Sequence, residues 1–82
     1  MLQHACLEPI RLEPQSPATR KFIRELGLRT RTGASIVAID RSTTVLVNPG
    51  PDEELLAGDQ VLLLGTREHI EAARKELLGK AD

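Results

Sequence analysis

The sequence has very few residues of the kinds that mark specialised protein classes. Its 82 residues include one cysteine, Cys6, one aromatic residue, Phe22, and neither tryptophan nor tyrosine. A single cysteine excludes a disulfide-stapled secreted scaffold and fits a reducing compartment. With one aromatic side chain there is no platform on which the bases of a single nucleic acid strand could stack. The hydrophobic core therefore has to be aliphatic.

Neither sign of charge predominates, because 11 basic and 12 acidic residues give a net charge of −1. Nucleic acid binding normally requires a basic face, so we predict no nucleic acid partner. The longest apolar runs, such as Val61 to Leu64, have four residues, whereas a helix that spans a bilayer needs roughly 20. The start of the chain also lacks the basic and apolar segments of a signal peptide. We expect a cytoplasmic protein with no direct membrane insertion.

No arrangement of side chains typical of a catalytic or metal site occurs in the sequence. His4 and Cys6 would offer zinc only two ligands, where three or four are needed. Glu53 and Glu54 are adjacent and point apart, so they do not form a general acid/base pair. Neither a G-x-G-x-x-G nor a P-loop pattern is present. We therefore predict no enzymatic activity, no metal and no cofactor.

The apolar pattern predicts the element order strand, helix, strand, strand, short turn, strand, helix. Strands are expected over residues 5–13, 34–40, 45–47 and 60–64. A first helix of about ten residues should begin at Ser16-Pro17 and end at Gly27, and a second should begin after Thr66 and end at Gly79. Pro9 lacks a backbone N–H, which places the first strand at an edge. The sequence predicts one α+β domain over residues 1–82: a small four-stranded, mostly antiparallel sheet with helices on one face.

The strand over residues 60–64 has apolar residues on both of its faces. A strand with one face in water should alternate apolar and polar residues, but Val61 to Leu64 shows no alternation. Helices can cover one face of such a sheet. A second copy packed around a two-fold axis would cover the other, since large apolar patches are rare on monomers. We therefore predict a two-fold homodimer with Val37, Val61 and Leu63 at its interface.

Three linked segments resemble the TrkA-C domain, the C-terminal half of proteins that regulate K+ conductance. They are Gly33 to Ile39 with Arg41, Val45 to Pro49, and the D-x-x-L-x-x-G-D turn with the last strand from Asp52 to Gly65. The resemblance covers about residues 24 to 78. It implies a homodimeric, ligand-sensing regulatory domain on a channel, symporter or cation/proton antiporter. Arg20 stands where the family often has a glycine. The Rossmann half that usually precedes the domain is absent from this chain, so the resemblance does not imply NAD binding.

Some TrkA-C domains bind cyclic di-AMP between two subunits, and the resemblance implies which residues would line such a cleft: Ile36, Ile39, Arg41, Asn48 and Pro49. Aliphatic side chains would flank the adenine rings, Arg41 would contact a phosphate, and Asn48 would bind a base edge. The same residues also fit structural roles, with the two isoleucines in the core, Arg41 at a hairpin tip and Asn48-Pro49 ending a strand.

Two functional hypotheses therefore stand. The first is a ligand-sensing domain of a potassium or cation transport system, whose partners are a second copy and a transmembrane transporter or channel subunit. The second is a dimerisation module with no small-molecule ligand, attached to a transporter or a transcription regulator.

Overall fold

A four-stranded antiparallel sheet forms the centre of the computed structural model, which describes residues 4–79. Its strands are β1 (Cys6–Arg11), β2 (Ser35–Arg41), β3 (Thr44–Val47) and β4 (Gln60–Gly65). They lie side by side in the order β1-β4-β2-β3, and each neighbouring pair is antiparallel. The predicted α+β class and antiparallel sheet are confirmed. The strand that carries Pro9 is an edge strand, as predicted.

Three helices complete the fold: α1 (Ile23–Leu26), α2 (Leu28–Thr32) and α3 (Arg67–Leu78). Helix α3 has the predicted bounds. The Thr66 hydroxyl accepts a hydrogen bond from the backbone N–H of His69 at 3.1 Å, and Gly79 ends the helix in a left-handed conformation with φ 72°. Both end signals that the sequence offers are therefore used. None of the helices formed by residues 4–79 is long and apolar enough to cross a membrane.

The prediction of a ten-residue first helix is wrong. Ser16 does not begin a helix, because its hydroxyl accepts a hydrogen bond from the preceding Glu13 N–H at 2.9 Å. Residues 14–20 form turns instead, and Arg20 adopts a left-handed conformation with φ 73° that no right-handed helix can include. The Arg20 N–H donates to the Leu55 carbonyl, and the Leu55 N–H donates to the Lys21 carbonyl. Pairing with this later segment replaces the hydrogen bonds that a longer helix would have made.

The aliphatic core lies between α3 and one face of the sheet. The strands contribute Ile10, Ile39, Val61 and Leu63, and α2 and α3 contribute Leu28, Ile70, Ala73 and Leu77. All of these side chains are at most 4% exposed and belong to one cluster. The helices therefore pack on one face of the sheet, as predicted.

This burial corrects two of the predicted interface residues. Val61 and Leu63 have no exposed surface within the single chain, so a second copy could reach them only if the core opened. Alternation along β4 places Leu62 and Leu64 on the opposite face, where both are half-buried. The third predicted interface residue, Val37, is half-buried at a bulge, where the register of β2 against β4 shifts between Ile36 and Ala38.

Candidate functional site: an apolar groove beside an open sheet face

The face of the sheet away from α3, which we call the open face, carries mainly apolar side chains. Strand register and alternation place on it the apolar residues Leu7, Pro9, Ala38, Val45, Val47, Leu62 and Leu64. They also place Asp40 and Gln60 at one end of this face. Leu7 is 59% exposed, Val45 60% and Val47 70%. The lack of alternation in β4 is thereby explained, because one side of the strand enters the core and the other forms the middle of the open face.

The structure does not bring the five predicted ligand-binding residues together in one chain. Ile39 is fully buried in the core and has no surface for a ligand. Ile36 lies near the start of β2 and Arg41 at its end, five residues apart, or roughly 16 Å at about 3.3 Å per residue. Asn48 and Pro49 lie at the Ile36 end, because the Asn48 N–H donates to the carbonyl of Val37 at 2.9 Å. Three of the five residues thus share one region.

That region contains a cavity of about 270 Å³, which we call the Ile36 groove. It is lined by Ile23, Gly27, Leu28, Arg29, Thr30, Ala34, Ser35, Ile36 and Pro51. Pro51 belongs to the segment that begins with Asn48 and Pro49, and its carbonyl accepts a hydrogen bond from the Arg24 N–H at 2.9 Å. The groove combines an apolar wall with hydroxyl groups and one guanidinium, a lining typical of small-molecule sites.

Arg41 is held at the other end of β2 by acidic partners. Its Nε and Nη2 donate to the two carboxylate oxygens of Asp59 at 2.9 and 2.8 Å, a bidentate pair. Its Nη1 donates to Glu53 at 3.3 Å, and Nη2 also donates to the backbone carbonyl of Glu54 at 2.9 Å. The hydrogen bonds to Asp59, opposed by partial burial, raise the pKa of Arg41 above its ordinary value. The guanidinium is therefore charged and fully engaged within its own chain.

A second cavity, of about 460 Å³, adjoins this ion pair, and we call it the Arg41 groove. Its charged lining residues are Arg11, Asp40, Arg41 and Asp59. Two carboxylates balance two guanidinium groups, so this groove offers a phosphate no net attraction. The Ile36 groove differs in charge, because its single charged lining residue is Arg29.

Sequence reasoning missed the part that Asp59 plays. Asp59 accepts the Leu56 N–H at 2.9 Å, as a turn residue bonded to the local backbone does. The residue is also 1% exposed and is the main partner of Arg41. A weak signal was available, because an aspartate buried next to an apolar strand needs a cationic partner. Arg29 was missed as well, since nothing in the sequence distinguishes it from the nearby surface cations. Within residues 4–79 no group of three or more histidine, cysteine, aspartate or glutamate side chains could hold a metal ion.

Comparison with protein families decides what this fold is. The family model of the TrkA-C domain matches residues 7–78. The chain belongs to the TrkA-C domain family. This family is regulatory and not catalytic, which confirms the prediction that the chain is not an enzyme.

Two curated relatives of this TrkA-C domain are transport proteins. Potassium channel protein 1 of Methanocaldococcus jannaschii is 30% identical over 59 residues, which cover 72% of this chain and 18% of that protein. The uncharacterized transporter YfbS of Escherichia coli is 41% identical over 56 residues, which cover 68% of this chain and 9% of that protein. The matched part thus spans less than a fifth of each relative.

Solved structures with the same fold are RCK C domains. The RCK_C domain dimer of S. agalactiae BusR in complex with c-di-AMP is 29% identical, with a TM-score of 0.78 and 93% of both chains covered. The GsuK RCK domain is also 29% identical, with a TM-score of 0.76, 95% of this chain covered and 17% of that one. BusR in complex with its busAB-promotor DNA is 30% identical, with a TM-score of 0.76, and the match covers 89% of this chain and 35% of that one. The absence of a nucleic acid partner for this chain stays a prediction.

Proposed function

We propose that this chain is a cytoplasmic, homodimeric, ligand-sensing domain of a potassium or cation transport system. Its ligand is a cyclic dinucleotide such as cyclic di-AMP, bound between two copies. One observation carries the proposal: the Ile36 groove lies in a chain that aligns along 93% of its length with a BusR domain described as a dimer in complex with c-di-AMP.

The open face supports the homodimer. Three of its members, Leu7, Val45 and Val47, are 59–70% exposed in the single chain. Burying such a surface contributes roughly 25 cal/mol per Å², and a domain of this length buries only about 60% of its unfolded surface by itself. A second copy therefore adds to the stability of the folded single chain. In a two-fold symmetric dimer the same face of each copy forms the interface.

The size of the Ile36 groove supports a shared ligand. Its volume of about 270 Å³ lies just below the ~300–1,000 Å³ of complete ligand pockets. One groove can therefore take one base of a dinucleotide, and a two-fold related groove takes the other. A cyclic dinucleotide has matching two-fold symmetry, which gives one ligand for two chains. Such a ligand alters a tethered transporter only through its different affinities for two arrangements of the subunits.

Calorimetric titration of the purified domain with cyclic di-AMP tests this function. AMP, ATP and NAD serve as controls for binding to any adenine nucleotide. We expect micromolar or tighter binding of cyclic di-AMP at one ligand per two chains. A folded dimer that binds none of the four compounds would contradict the ligand part of the proposal.

A second candidate function, a dimerisation module with no small-molecule ligand, is favoured by one observation. Arg41, the residue predicted to contact phosphate, is held by Asp59 at 2.8 and 2.9 Å and by Glu53 at 3.3 Å. A phosphate that took Arg41 would leave the buried carboxylate of Asp59 without its partner, at a cost of several kcal/mol. This candidate predicts the same dimer as the first, so the titration and not the oligomeric state separates them.

A further inference from the structure

The Arg41 groove contains two charged groups that its internal ion pair does not use. Arg41 and Asp59 engage each other, and Arg11 and Asp40 are the other charged lining residues. Asp40 is exposed and makes no ion pair within residues 4–79. Arg11 has a contact of 3.7 Å with Glu13, in which both side chains are more than half exposed. One guanidinium and one carboxylate are therefore accessible to a ligand.

Strand register fixes the separation of these two groups. Arg11 on β1 and Asp40 on β2 are each paired directly with Gln60 on β4, so the three residues form one row across adjacent strands. Neighbouring strands lie about 4.8 Å apart, which puts the Cα atoms of Arg11 and Asp40 roughly 10 Å from each other. No ion pair joins the two charges in the part of the chain that the structure describes.

The groove also has the size and the mixed lining of a small-molecule site. Its volume of about 460 Å³ lies within the ~300–1,000 Å³ of such sites. Leu56, which is 39% exposed, gives it an apolar part. Ser42 and Gln60 add a hydroxyl and an amide to the lining.

The backbone around the groove is fixed by hydrogen bonds within the chain. The Leu12 N–H donates to the Asp59 carbonyl at 2.9 Å, and the Gly58 N–H donates to the Leu12 carbonyl at 2.8 Å. The Arg41 guanidinium donates to the Glu54 carbonyl at 2.9 Å. Only a few exposed side chains have to be ordered when a ligand binds, which keeps the entropic cost of binding small.

We propose that the Arg41 groove binds a small zwitterion, a molecule with one ammonium and one carboxylate group. The ammonium contacts the Asp40 carboxylate, and the carboxylate contacts the Arg11 guanidinium. A ligand with a single charge is attracted by one of these side chains and repelled by the other. The site lies at the opposite end of β2 from the Ile36 groove, so this inference does not depend on the binding of a cyclic dinucleotide.

The test is an NMR titration of the ¹⁵N-labelled wild-type domain with four ω-amino acids of increasing length. They are glycine, β-alanine, 4-aminobutanoate and 6-aminohexanoate, and butylamine and butyrate are the singly charged controls. We expect at least one of the amino acids to shift the backbone amide signals of Asp40, Ser42 and Gln60 saturably. Both controls should bind about tenfold more weakly or less, because each lacks one hydrogen bond between charged groups.

Variants of the two charged residues test the assignment. Asp40→Asn and Arg11→Gln should each weaken binding of the best amino acid about tenfold or more. Glu68→Gln and Lys75→Gln are the matched controls, since each removes a charge of the same sign from an exposed position of α3. The reversed pair Arg11→Glu/Asp40→Lys should recover affinity, because a zwitterion can bind in the opposite orientation. Unchanged melting temperatures show that each variant is folded.

Three results would overturn the proposal. The first is that none of the four amino acids shifts these amide signals, or that a singly charged control binds as tightly as the best of them. The second is that Asp40→Asn and Arg11→Gln bind as the wild type does. The third is that no amino acid binds while either variant weakens a dimer in sedimentation, which would assign the charged row to the interface between two copies.

Discussion

Arg41 and Asp59 form a bidentate ion pair in which Nε–Oδ1 is 2.9 Å and Nη2–Oδ2 is 2.8 Å. Asp59 is 1% exposed, and its Oδ2 also accepts the Leu56 N–H at 2.9 Å. Arg41 ends β2, and Asp59 immediately precedes β4. The pair thus fastens the loop between β3 and β4 to the end of a strand two elements earlier in the chain.

Arg41→Ala should destabilise the domain by about 3 kcal/mol, because it leaves the buried Asp59 carboxylate without its cationic partner. The free energy of unfolding from urea denaturation, followed by circular dichroism, measures this. Arg11→Ala is the control. Arg11 pairs with Glu13 at 3.7 Å with both side chains more than half exposed, so its removal should change the free energy of unfolding by less than about 1 kcal/mol. Equal effects of the two substitutions would contradict the role of Arg41 as the cationic partner of the buried Asp59 carboxylate.

Arg20→Gly should stabilise the domain by about 1 kcal/mol. Arg20 has φ 73°, a conformation that costs an ordinary L-residue roughly 1–2 kcal/mol and costs glycine almost nothing. The gain is reduced by the extra freedom that glycine has in the unfolded chain. Asn48→Gly is the comparison, because Asn48 also has positive φ, 52°, but asparagine tolerates this region better. Thermal melting should therefore show a larger gain for Arg20→Gly, and a loss of stability there would show that the side chain makes a contribution not seen in the structure.

Gly33→Ala should be destabilising by about 2 kcal/mol or more. Gly33 has φ 88°, and a Cβ placed on it would lie 2.6 Å from Cδ2 of His69. Strain and overpacking therefore act together. Gly50→Ala provides the control, since nothing lies within 4 Å of a Cβ at that position. Removing the imidazole in the double variant Gly33→Ala/His69→Ala should restore part of the melting temperature, and no restoration would mean that only the backbone strain matters.

Leu63→Asp should unfold the domain and leave no folded monomer. Leu63 is fully buried in the core, and an unpaired carboxylate there costs more than about 4 kcal/mol. Small domains lie at the lower end of the ~5–15 kcal/mol range of folding stability, so this cost removes most of the stability. Far-UV circular dichroism should show loss of secondary structure. A cooperative, folded Leu63→Asp protein would contradict the described core.

The sequence predicted those parts of the fold that local signals determine. Helix α3 has a capping threonine, a regular apolar stripe and a terminal glycine, and β2 and β4 are dense in branched apolar residues. The helix prediction for the residues before Ile23 is wrong because Ser16-Pro17 is also the pattern of a helix start. The conformation of this region depends instead on long-range backbone hydrogen bonds of Arg20 and Lys21 with Leu55. Local propensity does not contain that pairing.

The candidate site was predictable only in part, for a related reason. The two-sided apolar pattern of β4 correctly indicates a second apolar face, but it does not show that Val61 and Leu63 enter the core while Leu62 and Leu64 lie on the open face. The face of a strand depends on register against its neighbours, and a shift of one residue exchanges the two sets. Arg41 and Asp59 are 18 residues apart in the sequence, so their pairing depends on the fold. That Arg41 contacts a phosphate stays a prediction, and such a contact would compete with the ion pair to Asp59.

Sedimentation equilibrium of the wild type and of Val47→Lys tests most directly whether a second copy covers the open face. Val47 is 70% exposed on that face, so a lysine there keeps the chain folded and places a charge in the apolar interface. Thr44→Lys is the control, because Thr44 is exposed on the same strand and points to the opposite face. We expect a dimer for the wild type and Thr44→Lys and a folded monomer for Val47→Lys. A wild-type protein that stays monomeric at high concentration, or a Val47→Lys protein that still dimerises as the wild type does, would contradict this expectation.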